Sequence, residues 1–120
     1  MCKKEFEYKG IKHCSFVVGN YLHNKQAMAI TILDAEGETV EVATVNMPDY
    51  LYSPDTATLR NYSYTSGITK FLKKLGIIEE IYSTRKCNQY AQDSETIDYC
   101  QINTKKLKEY SSKFDYEWSM

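Results

Sequence analysis

Four cysteines, at positions 2, 14, 87 and 100, and two histidines, His13 and His23, are the side chains of this 120-residue chain best suited to hold a metal or to act as nucleophile and base. Zinc ligands come in closely spaced pairs along the chain, and a thiolate nucleophile needs its base within hydrogen-bond reach. No Cys-x-x-Cys occurs, and the two histidines have no matched second pair. His13 and Cys14 are neighbours, but neighbours on a strand point to opposite faces and cannot serve each other. The adjacent carboxylates Glu79 and Glu80, and Asp115 with Glu117, stand in polar surroundings where solvated charge is the ordinary state. There is no glycine-rich phosphate loop, no His-Glu-x-x-His and no Gly-x-Ser-x-Gly. The chain therefore reads as a non-enzyme with neither metal nor cofactor. Its cysteines read as reduced thiols of a cytoplasmic protein, Cys2 frayed and Cys14 and Cys100 half-buried in strands.

Recognition chemistry is better represented. Eleven tyrosines stand against 4 Phe and 1 Trp, so most of the aromatic surface carries a polar tip. Net charge is −1, but it is unevenly laid out. Between Gln26 and Tyr64, Asp34, Glu36, Glu38, Glu41, Asp49 and Asp55 face the single cation Arg60, a net of −5. The same stretch holds Tyr50, Tyr52, Tyr62 and Tyr64. Tyrosine buries much area at low entropic cost, so Asp34, Glu36, Glu38, Tyr50, Tyr52, Asp55, Tyr62 and Tyr64 form a candidate protein-binding face. Two other stretches are basic, Ile68 to Tyr90 and Thr104 to Lys113, each with a net of +3. Lys70, Lys73, Lys74, Arg85 and Lys86, with Tyr82 and Tyr90 to stack on bases, form a candidate nucleic-acid site. Helical lysines opposite an apolar stripe also make an ordinary wet face, as tyrosines in alternating segments also fill sheet edges.

These residues must be positioned by a small fold. A chain of this length, 42% apolar and 26% charged, supports one domain spanning 1–120. The N-terminus has no apolar segment of the kind a secretory signal needs, and the longest apolar run, Gln26 to Leu33, is too short to cross a bilayer. Ile11 to Val18 alternates as a strand, punctuated by Gly19-Asn20. Gln26–Leu33 and Thr39–Asn46 flank the turn Asp34–Glu38 as a hairpin, ended by Pro48. The irregular stretch Pro48–Ser66 is expected to hold a short strand at Thr56–Leu59. Ile68, Phe71, Leu72 and Leu75 follow helical spacing, with Ser66 placed to cap the start and Gly76 the end. Ile77–Ser83 and Thr96–Ile102 read as strands. Asn103 caps a last helix with Ile102 and Leu107 as its staple, and Leu107, Tyr110 and Phe114 continue its stripe. The expected class is α+β, an antiparallel sheet of about five strands with two helices packed on one face.

The run Gly19-Asn-Tyr-Leu-His-Asn-Lys-Gln-Ala-Met-Ala-Ile30, then Gly37-Glu38, Ala43-Thr-Val-Asn-Met-Pro48, Phe71-Leu72 and Leu75-Gly-Ile77, resembles a family of short proteins of unknown function on conjugative and other mobile elements of gut anaerobes. The likeness covers Tyr8 to Ile102. It departs where members of that family carry an aromatic-proline segment and this chain has Arg85 to Asp93. The resemblance implies a non-catalytic anti-defence protein. Its most concrete form is an anti-CRISPR inhibitor of an RNA-guided nuclease, whose acidic tyrosine face takes the place of nucleic-acid phosphates. The alternative is a nucleic-acid-binding accessory protein of the mobile element that uses the basic set. A small-molecule sponge for a nucleotide messenger is a third reading, and it needs a pocket.

Overall fold

The computed structural model describes residues 4–22, 24–47, 50, 52–92 and 95–118. Cys2, His23, Pro48 and Asp49 fall outside the described residues, so the frayed Cys2 and the ladder stop at Pro48 do too. The chain opens on a hairpin in which β1 (Phe6–Tyr8) returns through Lys9-Gly10 into β2 (Ile11–Tyr21). Both turn residues have positive φ, 48° and 83°, as a two-residue loop matched to strand twist requires. β2 pairs antiparallel with β3 (Asn24–Leu33), with Phe16 opposite Ile32 and Val18 opposite Ile30. Alternation buries Cys14, Phe16, Val18, Met28, Ile30 and Ile32 on one side. Gly19-Asn20 does not interrupt β2, because Gly19 pairs with Ala29 and Asn20 with Met28.

Asp34 makes the next turn. Its Oδ1 accepts from the amides of Glu36 and Glu38 at 3.0 Å each, and its amide donates to the Glu38 carbonyl at 2.9 Å. β4 (Thr39–Val42) then pairs with β3 for only four residues. Beyond it the chain stitches two sheets together. The Ala43 amide donates to the Ile30 carbonyl, the Val45 amide to Thr58, and the Arg60 amide back to Ala43, with Thr44 bridged to Leu59. The strand expected at Thr56–Leu59 is therefore the seam of the molecule, β5 (Thr56–Asn61).

A 3₁₀ turn at Ser63–Thr65 leads into helix α1 (Ile68–Lys74). Its N-cap is Gly67 at φ 94°, not Ser66, and no side chain of the cap residue bonds the first turn. Asn61 does that work from the end of β5, its Oδ1 accepting from the Gly67 and Thr69 amides at 2.9 and 3.3 Å. At the other end Gly76, at φ 81°, closes a Schellman motif. Ile77 donates to the Leu72 carbonyl, Gly76 to Lys73, and the Ile77 and Leu72 side chains are fully buried.

β6 (Ile78–Lys86) and β7 (Thr96–Ile102) complete a three-stranded antiparallel sheet in the order β5-β7-β6. Helix α2 (Thr104–Glu109) is capped by Asn103, whose Oδ1 accepts from the Lys106 amide at 3.0 Å. The stripe Leu107, Tyr110, Phe114 does not continue as helix. Ser111 donates to the Leu107 carbonyl, the Phe16 amide donates to Tyr110, and β8 (Ser111–Phe114) runs parallel to β2. A serine pair ends the helix by competing for backbone groups, and the open side of β2 accepts the chain.

The α+β class with antiparallel sheets and two helices stands, its strands divided between a five-stranded and a three-stranded sheet. Phe71 of α1 packs on the rings of Phe6 and Tyr8, at 5.6 and 4.9 Å. One apolar cluster spans both sheets, with Phe16, Ile30, Leu59, Leu72, Ile102 and Leu107 at its centre. Each such side chain contributes roughly 1.5–3 kcal/mol by leaving water.

Candidate functional site

The nucleophile and metal candidates do not converge. His13 is exposed and faces Glu5 at 3.0 Å, while Cys14 turns into the core and reaches the Ile11 carbonyl at 3.3 Å. Burial pushes the Cys14 thiol up, and the Cys100 thiol up to about 12, so neither is a thiolate at neutral pH. Among the described residues no three metal-ligating side chains come together. Glu79, Glu80, Asp115 and Glu117 are all exposed, and Asp115 pairs with Lys113 at 3.4 Å.

The acidic tyrosine set does not form one face. Thr44 lies antiparallel to Leu59, so from that bridge the chain runs six residues one way to Glu38 and four the other way to Asp55. At strand rise those ends are on the order of 30 Å apart. Asp34 is engaged in its own turn, Glu36 and Glu38 point to solvent beside it, and Tyr62 is half-buried under the Arg60 guanidinium at 5.3 Å. Tyr64 is 85% exposed, and its carbonyl accepts from the Lys9 ammonium. Asp55 is half-buried; its amide donates to the Tyr116 hydroxyl oxygen at 2.9 Å, and its carbonyl accepts from the Ile102 amide. Tyr52 corrects the expectation of an exposed ring. It is 5% exposed, and its hydroxyl shares a 2.7 Å bond with Thr58 Oγ1 and accepts from the Met47 amide.

What the structure gathers instead is a tyrosine cluster on the outer side of the three-stranded sheet. Along β7 the residues Asp98, Cys100 and Ile102 face the core, so Ile97, Tyr99 and Gln101 face outward. Tyr99 is the hub. Its ring lies 5.8 Å from Tyr50, 5.7 Å from Tyr52 and 5.8 Å from Tyr82. Arg85 stands over the Tyr50 ring at 5.6 Å. Hydroxyl bonds hold the rings: Tyr82 to Gln101 Oε1 at 2.9 Å, Tyr99 to Thr56 Oγ1 at 3.2 Å. Tyr82 is 50% exposed, and Tyr50 and Tyr99 are half-buried. The cluster thus unites two tyrosines of the acidic list with Tyr82 and Arg85 of the basic one. Tyr99 is the residue that sequence reasoning missed; the alternation of Thr96–Ile102 already placed it opposite Cys100.

The basic set is divided by the same sheet. Arg85 pairs across from Ile97 on the outer side, while Lys86 pairs across from Thr96 on the core side. Lys70 and Lys73 border an open cleft of about 510 Å³ together with Asn61, Thr69, Thr96 and Asp98. Asp98 is 4% exposed; its Oδ2 accepts from the Thr69 hydroxyl at 2.5 Å, and its Oδ1 has no partner among the described residues. The buried Asp98 carboxylate in this lining repels a phosphate backbone. Tyr90 is 85% exposed on the turn after β6 and is not among the residues bordering this cleft, its amide bonded to Asn88 Oδ1.

No protein family, curated protein or solved structure matches the chain. The resemblance to mobile-element proteins rests on the quoted residues alone. Among the described residues no helix is long and apolar enough to cross a membrane.

Proposed function

We propose that this chain is a non-catalytic binding protein and that its working surface is the outer face formed by Tyr50, Tyr82, Tyr99 and Arg85. One observation carries the reading: three partly exposed tyrosine rings and a guanidinium, drawn from three separate segments, are locked together around Tyr99. Tyrosine and arginine dominate the few residues that supply most binding energy at protein interfaces, and pre-ordered rings lose little entropy on docking. The expected partner is a protein. In the fuller form implied by the resemblance it is a host defence protein, an RNA-guided nuclease of a CRISPR system. Glu36 and Glu38 share one turn and Asp55 lies far from it, so the three do not form one acidic face and this reading places inhibition on the tyrosine face.

A second reading has its own support. Tyr82 and Tyr99 beside Arg85 would also stack on unpaired bases of a single strand, making the chain a nucleic-acid-binding accessory protein. Titration of a purified RNA-guided nuclease with the protein, followed by target cleavage, tests the first. Inhibition is expected, with Tyr50→Ala and Tyr82→Ala each weakening it by about 30-fold, the loss of a hot-spot residue. Glu36→Lys with Glu38→Lys should leave it unchanged. Equal potency of both tyrosine variants and wild type defeats the face as the site. Binding of bare single-stranded RNA or DNA that weakens steeply with salt selects the second reading.

A further inference from the structure

Strand β6 is the outer edge of its sheet, and from Glu79 to Lys86 every residue is exposed. Long exposed edges pair with other chains unless something prevents it. The charges on this edge are arranged to welcome one particular chain. Glu79 and Glu80 stand at its start, Arg85 and Lys86 at its end. In a regular strand Glu80 and Arg85, five residues apart, would face opposite sides. The irregularity between Ile81 and Ser83 inserts an extra residue and brings them round: Glu80 lies opposite Gln101 and Arg85 opposite Ile97, four residues apart on the regular β7. Both therefore lie on the outer side. Ile81 and Thr84, opposite Cys100 and Asp98, share the core side by the same arithmetic.

From this we infer that two copies of the chain pair through β6, antiparallel, about a two-fold axis normal to the sheet beside Tyr82 and Ser83. That rotation sets Glu80 of each copy against Arg85 of the other on the outer side. It also sets Ile81 against Thr84 on the core side and brings the two Tyr82 rings together at the centre. The match is self-complementary, as a two-fold interface must be. Charges that serve only to block an edge need be of one sign; here the two signs occupy positions that the symmetry exchanges. Pairing joins two three-stranded sheets into one of six strands. It covers the edge, takes Tyr82 and Arg85 into the pairing, and leaves Tyr50 and Tyr99 on the outer side of each copy.

Sedimentation equilibrium of the full chain, from about 5 to about 500 µM in low salt, tests this. The weight-average mass is expected to climb from 14.0 kDa toward twice that value. Glu80→Arg and Arg85→Glu each place like charges at two symmetric contacts and should weaken dimerisation at least about tenfold. The double variant E80R/R85E swaps the signs and should restore it, which also shows that the exposed substitutions leave the fold intact. Raising salt to about 1 M should weaken the wild-type dimer. A wild type that stays monomeric throughout overturns the inference, as does a dimer indifferent to either single reversal. Neither result touches the reading of the tyrosine face, which is tested by partner inhibition with Tyr50→Ala, a residue that lies off the paired strand.

Discussion

Asp98 is a costly residue, since among the described residues its 4% exposed carboxylate has only the Thr69 hydroxyl for company, on one oxygen. Removing the carboxylate leaves that hydroxyl without its acceptor. Asp98→Ala is therefore expected to lower unfolding free energy by about 2 kcal/mol in a urea titration. Asp98→Asn keeps an acceptor for Thr69 and sheds a buried charge, so it should cost clearly less. Equal losses in the two variants would mean that the charge itself stabilises the fold. The cysteines differ as sharply from one another. Cys14 and Cys100 are fully buried with thiols pushed up by burial, while Cys87 is partly exposed at the end of β6. In a Cys2→Ser background, an aromatic disulfide reagent near pH 8 should label one thiol quickly. The other two should react only at the rate of unfolding. Fast labelling of all three would contradict the burial of β2 and β7.

At the scale of elements, the glycines separate conformational need from convenience. Gly76 sits at φ 81° in the motif that ends α1, and a Cβ there would meet only Lys106 methylenes at 3.6 and 3.7 Å. Space is adequate, so the cost of Gly76→Ala is the backbone strain of an L-residue in the left-handed region, about 1 kcal/mol. Gly19, within β2, has no such φ and nothing within 4 Å of a Cβ. Gly19→Ala should be neutral or slightly stabilising in the same urea titration, and a loss equal to that of Gly76→Ala would refute the assignment. Elements whose signal is local were legible in the chain. The alternation of β2 and β3, the helical spacing of Ile68 to Leu75 and the Asn103 cap all reappear in the structure, and Ile102 and Leu107 are both buried in the core. What was not legible depends on distant partners. β8 forms because β2 offers an open side, not because Ser111–Phe114 favours extension. Gly67 rather than Ser66 begins α1 because Asn61, six residues upstream, reaches its first amides. Tyr50, Tyr82 and Tyr99 lie on three segments, and no spacing along the chain announces that their rings meet.

For the molecule as a whole, buried neutral groups tie stability to alkaline pH. Burial raises the Cys100 thiol to about 12 from 9.0. The hydroxyls of Tyr8, Tyr21 and Tyr116 are likewise raised above 10.0, chiefly by burial, and Tyr8 also because it donates to the Glu41 carboxylate at 2.5 Å. In the unfolded chain these groups lose their protons at ordinary values, so the unfolded state binds fewer protons once pH passes 9. The stability that comes from keeping them neutral is whole below pH 9. It is lost first as Cys14 and Cys100 titrate in the unfolded chain above 9, then more steeply above 10 as the tyrosines join. One such group costs about 1.4 kcal/mol per pH unit. Urea midpoints should therefore be level from pH 7 to 9 and fall above it. Cys100→Ala is expected to make the limb between 9 and 10 shallower, with buried Cys14 carrying the remaining slope. Tyr8→Phe should relieve only the steeper part above 10, because Glu41 keeps Lys9 at 3.5 Å as its partner when the phenol is gone. These groups belong to β1, β2, β7 and the segment after β8, which share one apolar cluster, so the loss should appear as a single transition moving with pH. Two separated transitions at pH 10 would mean that the stitched sheets unfold independently, and that the bridge at Thr44 and Leu59 does not couple them.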